Sequence, residues 1–407
     1  MGWKKFSIVA GVLISVFTLI GVQNCWAIPA WSRKYGTDCS TCHRPNVPRL
    51  NVEGHTFRKL GFRFPDEIGK KPNYKEIGEY LSMRIRFRYE HQDADDADTR
   101  SRFNLNDATF FYAGPVTENL TGFVEMEWAD TDEIELNAYM SWLFGTADRY
   151  LSVRGGQMHT LARVGWAGFD RPSGISTTGV LGGDLTDSPV PFAISQDQQG
   201  VELAFGPNRD ARVIAQALNG INFEGSGNEG SDDDTDKDIL LAYEHILDKN
   251  GSGFTLFGYR GVWHQDPVDL GLTPETVQDD DNQFDFYRYG ATASILFDIF
   301  PAGLSEILGG AMFSRDNIPD NHPINRDNIK GQAYFAELEQ YFSNASVFAR
   351  ADFIDPDTQD HDWRNRYTVG AAHMVNNNLR LALELFVQDI EDQHNPYGGV
   401  AEAMINF

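Results

Sequence analysis

From residue 79 to the C-terminus the chain is written in period two, and what alternates is apolar residues against charged ones. Leu81, Met83, Ile85, Phe87 and Tyr89 fall on one side of an extended segment, with Ser82, Arg84, Arg86, Arg88 and Glu90 on the other. Ten positions in that rhythm specify a strand with two unlike faces. Val124, Met126 and Trp128 alternate with Glu125 and Glu127, and Leu379, Leu381, Leu383, Leu385 and Val387 with Arg380, Ala382, Glu384, Phe386 and Gln388. A soluble sandwich seldom sets charge after charge opposite its core face. An apolar face in lipid and a polar face on a lumen account for both sides.

Segments of this kind are expected at 79–91, 102–113, 121–130, 135–144, 149–160, 198–206, 210–220, 239–247, 252–265, 284–297, 303–314, 329–342, 345–355, 365–375, 378–390 and 398–407, sixteen in all. Each is close to the length that a tilted membrane strand needs. Every second link is short (Gly114 to Leu120, Gly145 to Asp148, Pro207 to Arg209, Asp248 to Gly251, Asp298 to Ala302, Ser343 to Asn344, Asn376 to Asn377), and the others include all the long ones, 161–197, 221–238, 266–283 and 315–328. Short periplasmic turns alternating with long external loops are the arrangement of an outer-membrane barrel. The fold class expected is therefore all-β, a sixteen-stranded antiparallel porin-like barrel over residues 79–407. Ala401, Ala403, Ile405 and the terminal Phe407 complete the last strand with an aromatic end, which resembles the C-terminal signal of bacterial outer-membrane proteins.

Two segments of different character precede the barrel. Lys4 and Lys5, an apolar run from Phe6 to Ile20, and Cys25-Trp26-Ala27 have the order of a secretory signal peptide, with cleavage expected after Ala27. Cys25 leaves with it, so Cys39 and Cys42 are the cysteines of the exported chain and form no disulfide framework. Residues 28–78 carry five prolines and a run of bases, Arg33, Lys34, Arg44, Arg49, Arg58, Lys59 and Arg63. About 50 residues is short for an independent core unless a cofactor supplies one. The whole chain has a net charge of −25, which repels nucleic acid and attracts cations. After the signal no apolar run reaches helical membrane-span length, because Ala291 to Phe313 is interrupted by Asp298, Pro301 and Glu306.

Within that basic segment stands Cys39-Ser40-Thr41-Cys42-His43. Two cysteines two residues apart and followed by histidine are the pattern of c-type haem attachment, in which the thiols bind the porphyrin covalently and the histidine ligates the iron. A redox dithiol needs no histidine there, and a structural zinc needs a fourth ligand nearby.

Ile28-Pro29-Ala30-Trp31-Ser32-Arg33-Lys34-Tyr35-Gly36, the Cys39 to His43 motif, and Gly54-x-x-Phe57-Arg58-x-x-Gly61-Phe62-Arg63-Phe64-Pro65 together resemble the haem segment of the fused outer-membrane cytochrome–porin family best known from iron(II)-oxidising bacteria. The resemblance covers residues 28–65, and the barrel agrees in length, pattern and strand count. It implies one haem c held by Cys39 and Cys42, His43 as proximal iron ligand, and the segment as a plug in the lumen. It also implies electron transfer from extracellular Fe(II) to a periplasmic c-type cytochrome. A conduit running outward, or a diffusion porin with a structural haem, uses the same parts.

For the distal ligand His55 is the candidate, being the other histidine of residues 28–78, with Met83, Met126, Met158 and His159 as competitors from early strands. Arg84, Arg86 and Arg88 read as a charged lumen wall, with bonding to haem propionates or the plug as the alternative. The acidic groups Asp93, Asp95, Asp96 and Asp98, then Asp232, Asp233, Asp234, Asp236 and Asp238, then Asp279, Asp280 and Asp281 are expected in external loops. There they read as solvated charge or as collectors of divalent cations.

Overall fold

A computed structural model describes residues 30–407 apart from 95–96, 130–133, 161–165, 167–171, 173, 180–196, 221–235, 265–282, 301–302, 318–327, 356, 358–362 and 391–395. The expected signal peptide lies outside the described residues, as do Asp95, Asp96, Asp232, Asp233, Asp234, Asp279, Asp280 and Asp281.

Sixteen long strands follow residue 80: β1 (Leu81–Ala94), β2 (Ala97–Pro115), β3 (Leu120–Ala129), β4 (Ile134–Gly145), β5 (Tyr150–His159), β6 (Asp197–Gly206), β7 (Ala211–Leu218), β8 (Asp238–Ile246), β9 (Gly253–His264), β10 (Gln283–Phe300), β11 (Gly303–Asn317), β12 (Gln332–Tyr341), β13 (Ala345–Asp355), β14 (Arg364–Met374), β15 (Leu379–Ile390) and β16 (Tyr397–Asn406). Asn328–Ile329 pair with the end of β11 in the register that β12 continues, so they belong to the same ladder. Each strand pairs antiparallel with its neighbours in the chain, and β1 also pairs with β16, Ile85 facing Ile405 across the seam. The sheet closes, which leaves no unpaired edge and meets the requirement lipid places on a spanning backbone. Among the described residues no helix is long and apolar enough to cross a membrane; strands make the crossing.

Burial inverts the order of a soluble protein. Arg86, Asp107, Glu202, Arg212 and Glu244 are buried on the lumen side, while Phe103, Ile134, Leu241, Ile295 and Leu338 are exposed on the outer face. This is an outer-membrane barrel with a porin-like cross-section. Several strand boundaries differ by a few residues from those read in the sequence, and two of the differences move acidic residues out of expected loops. β2 begins at Ala97 because its ladder with β1 runs on through Gln92 opposite Arg100, so Asp93 and Asp98 belong to a hairpin. Asp238 opens β8, is 2% exposed and accepts from the Tyr259 hydroxyl, so it is a lumen residue and not a solvated loop charge.

Between β7 and β13 part of the lumen face is itself apolar. Ile214, Leu240, Phe286, Leu308, Met312 and Ile354 are all buried there in one cluster with Trp166. Charged side chains are buried on the same strands, among them Glu244, Arg288, Asp316, Glu337, Arg350 and Asp352, so the apolar patch is set within a polar lumen face.

Candidate functional site

Residues 30–80 sit inside the barrel at the end that carries the short turns. Trp31 Nε1 donates to Ala113 O at 3.0 Å, Arg44 to Asn250 O at 2.8 Å, and Arg63 to Thr117 O and Leu120 O at 2.8 and 2.9 Å. Arg49 donates to Glu306 at 2.5 Å, Lys59 to Arg209 O, and Arg33 to Leu81 O at 2.7 Å. Basic residues of the plug thus meet carbonyls and carboxylates of the barrel, which explains the charge contrast between the two parts of the sequence.

The motif residues have definite structural work. Helix α1 (Ala30–Tyr35) ends at Gly36, whose φ of +64° suits glycine. Helix α2 (Val52–Lys59) is capped by Asn51, whose side chain accepts from Gly54 N at 3.0 Å and donates to Ser40 O and Thr41 O at 3.1 Å each, tying the helix to the cysteine turn. A Cβ on Gly54 would lie 2.1 Å from Cys42 O, so glycine alone lets the helix rest there. Gly61 at φ +71° turns the chain, and the Arg63 side chain returns to Thr121 Oγ1 at 2.6 Å. Phe57, Phe62 and Phe64 pack with Trp31 and Tyr35, and Phe62 stacks on Phe123 of the wall at 5.7 Å.

A cavity of about 390 Å³ opens between plug and wall, within the range of cofactor sites, roughly 300–1,000 Å³. Cys39, Cys42, His43 and His55 border it from the plug. From the wall come Met83, Arg84, Arg86, Glu125, Arg154 and His159, together with Met374, Asn377 and Met404. Cys39 Sγ donates to Asn377 O at 3.2 Å, and Asn377 Nδ2 to Asp38 Oδ1 at 2.9 Å, so the cysteine turn adjoins the rim turn between β14 and β15. Burial pushes the Cys42 thiol up to about 11 and also raises that of Cys39. His43 Nδ1 faces Pro48 O at 3.3 Å and is the donor, since a carbonyl only accepts. That bond leaves Nε2 as the basic nitrogen, the tautomer of a metal-ligating histidine held by a second-shell carbonyl. Two thiols and this imidazole on one cavity fit a covalently attached haem.

His55 is 2% exposed, its ring edge-on to Trp166 at 5.0 Å and its Nε2 3.4 Å from Glu244 Oε2. Burial lowers its pKa to about 3 despite the carboxylate. Of its competitors, Met83 and His159 border the cavity. Met126 alternates with Glu125 and Glu127 and occupies the outer series, and Met158 is buried without bordering the cavity. Arg84 and Arg86 pair with Asp107 and Glu127, and Arg88 with Glu402 at 2.7 Å, all wall carboxylates. Met374 and Met404 are the bordering methionines that the sequence reading did not weigh as ligands, although Met404 stands in the lumen series Glu402, Met404, Asn406.

No protein-family model matches the sequence, and no curated protein matches it. Solved structures do match. A loop-deletion form of OmpT, an outer-membrane protein of Vibrio cholerae, is 14% identical with a TM-score of 0.51, covering 80% of this chain and 99% of its own. An anion-selective porin from Comamonas acidovorans is 10% identical at TM-score 0.55, covering 80% and 98%. OprB of Pseudomonas putida is 9% identical at 0.51, covering 81% and 93%. At these identities the likeness shows the fold: the chain is a porin-like outer-membrane barrel that carries an additional N-terminal plug.

Proposed function

We propose that the protein is an outer-membrane electron conduit, in which one haem c attached to the plug passes electrons between an extracellular donor, Fe(II), and a periplasmic c-type cytochrome. The observation that carries this reading is that Cys39, Cys42 and His43 share one cavity inside a closed barrel, with His43 Nδ1 on Pro48 O. When bound, the haem iron supplies a one-electron acceptor and donor. The chain's own residues do the rest. Cys39 and Cys42 fix the porphyrin beside the Asn377 turn, and the Pro48 carbonyl orients His43. The basic side chains of the plug hold the whole assembly against the wall.

The attachment site adjoins the short-turn rim, so a periplasmic partner docks there. The external donor approaches from the opposite end, across an apolar band roughly 25 Å tall. The cavity provides for this on the β1 to β5 side, since it is bordered by Asn377 at the rim and by His159, the last residue of β5. The direction of flow follows from the potential of the iron against its partners, and the same parts run outward if the order is reversed.

Two measurements test this. Replacing Cys39 and Cys42 by alanine removes the haem-peroxidase stain from a denaturing gel while the barrel still folds; a stained band from the double variant sinks the attachment. Mixing oxidised protein with Fe(II) in a stopped-flow spectrometer reduces the haem, and an inert haem removes Fe(II) as donor. The porin-like fold favours one second reading, a diffusion porin whose haem is structural. Liposome swelling separates them, because the plugged conduit passes no small sugars.

A further inference from the structure

Resting on the haem reading above, we infer that Met404 supplies the sixth ligand to the iron, so that the complete redox centre is shared between plug and barrel. The argument begins with which donor atoms around the cavity are uncommitted. His55 directs Nε2 to Glu244, and that carboxylate is also held by Arg212 and by Trp166 N at 2.6 Å. His159 has Nδ1 on Asp197 and Nε2 3.7 Å from Glu125. Both imidazoles are therefore bound through a nitrogen to the wall, and ligation through it would break a carboxylate contact.

The thioethers carry no such commitment. Met83 and Met374 also border the cavity, each half-buried at the rim end of its strand, β1 and β14. Met404 is 2% exposed, on the lumen face of β16 between Glu402 and Asn406. Its cross-strand partners are Arg86 on β1 and Arg380 on β15, and both guanidiniums are engaged, with Asp107 and Glu402. An apolar sulfur between two arginines has no charge to pair with. It borders the cavity that Cys39, Cys42 and His43 also border. The strand is also stitched to the cysteine turn, since Asn378 Nδ2 donates to Asn406 O while the adjacent Asn377 O accepts from Cys39. A soft thioether on haem iron opposite histidine is an established ligand pair that raises the reduction potential.

The test uses the full-length protein purified in detergent, with heat-modifiable gel migration as the check that each variant folds. Wild-type protein should carry covalent haem with a low-spin ferric signal in electron paramagnetic resonance. Met404→Leu should keep the covalent haem, lose the low-spin signal in favour of a high-spin one, and shift the midpoint potential. Met404→His should restore a low-spin signal at a lower midpoint than wild type. Met374→Leu, Met83→Leu and His55→Gln should each leave spin state as in wild type. A low-spin Met404→Leu protein with an unchanged midpoint overturns the inference, as does loss of the low-spin signal in one of the other three instead. Wild-type protein without covalent haem would overturn the functional reading beneath it, a separate result that the same gel reveals.

Discussion

At the scale of single residues the plug depends on close approaches that a side chain would prevent. Gly54→Ala places a methyl group 2.1 Å from Cys42 O, so helix α2 must lift from the cysteine turn and the Asn51 bonds to Ser40 O and Thr41 O must lengthen. The expected outcome is a several-fold lower yield of haem-stained protein with unchanged barrel migration on gels. The thiols give a pH-dependent check on the same turn. Burial favours the neutral thiol of Cys42 and raises its pKa from 9.0 to about 11, so the stability this group contributes is present below pH 9 and is lost as pH rises through 11. In protein produced without haem attachment, alkylation of Cys42 should be slower than in an unfolded control at pH 8–9, and should accelerate toward pH 11 as thiolate forms. Equal rates at pH 8 would show that the turn is open to solvent.

At the scale of elements, the strands were readable because lipid and lumen impose opposite chemistry on neighbouring residues, and β1, β3 and β15 show it plainly. Reading was weaker where both faces are apolar. In β8, Ile239 and Leu241 face out while Leu240 and Ala242 face a packed lumen, so period two gives a strand without telling inside from outside. Which strands oppose one another across the lumen is a matter of closure and not of local pattern. For that reason the Arg49 pairing with Glu306 and the cavity that Met404 shares with the cysteine motif could not be seen beforehand. The plug was legible as a basic piece, and its fit follows from where those bases land. Arg49 and Glu306 form a nearly buried pair, 12% and 3% exposed at their side chains. Removing one partner of such a pair costs about 3–5 kcal/mol. The low end applies here, because Ser294 and Tyr341 still donate to the carboxylate. Arg49→Met should expose the plug to added protease without unfolding the barrel, and adding Glu306→Gln should recover part of the protection. A plug equally resistant in the single variant would mean that other contacts alone hold it.

At the scale of the whole molecule, strand parity decides which ends of the barrel the proposed electron path would connect. Sixteen strands bring the last one back to the end where the first begins, and β16 pairs with β1 there, Phe407 N donating to Met83 O at 2.9 Å. The plug, the cysteine turn and the short turns occupy that same end. Short turns of such barrels face the periplasm, so the cysteine turn, where the proposed haem would be attached, adjoins the periplasmic rim. On the proposed function, the acidic residues expected in external loops would attract Fe(II), an attraction that salt screens over about 8–10 Å. The rate of reduction by Fe(II) should therefore fall as ionic strength rises, while the exchange with the periplasmic partner follows its own charge pattern at the other rim. Sidedness is tested directly in cells. An epitope inserted after Ser231 should be labelled by antibody on intact cells, and one inserted after Asn377 only once the outer membrane is opened. Labelling of the Asn377 site on intact cells would place the cysteine turn outside, and electrons from an external donor would then enter beside the haem instead of travelling the length of the lumen to reach it.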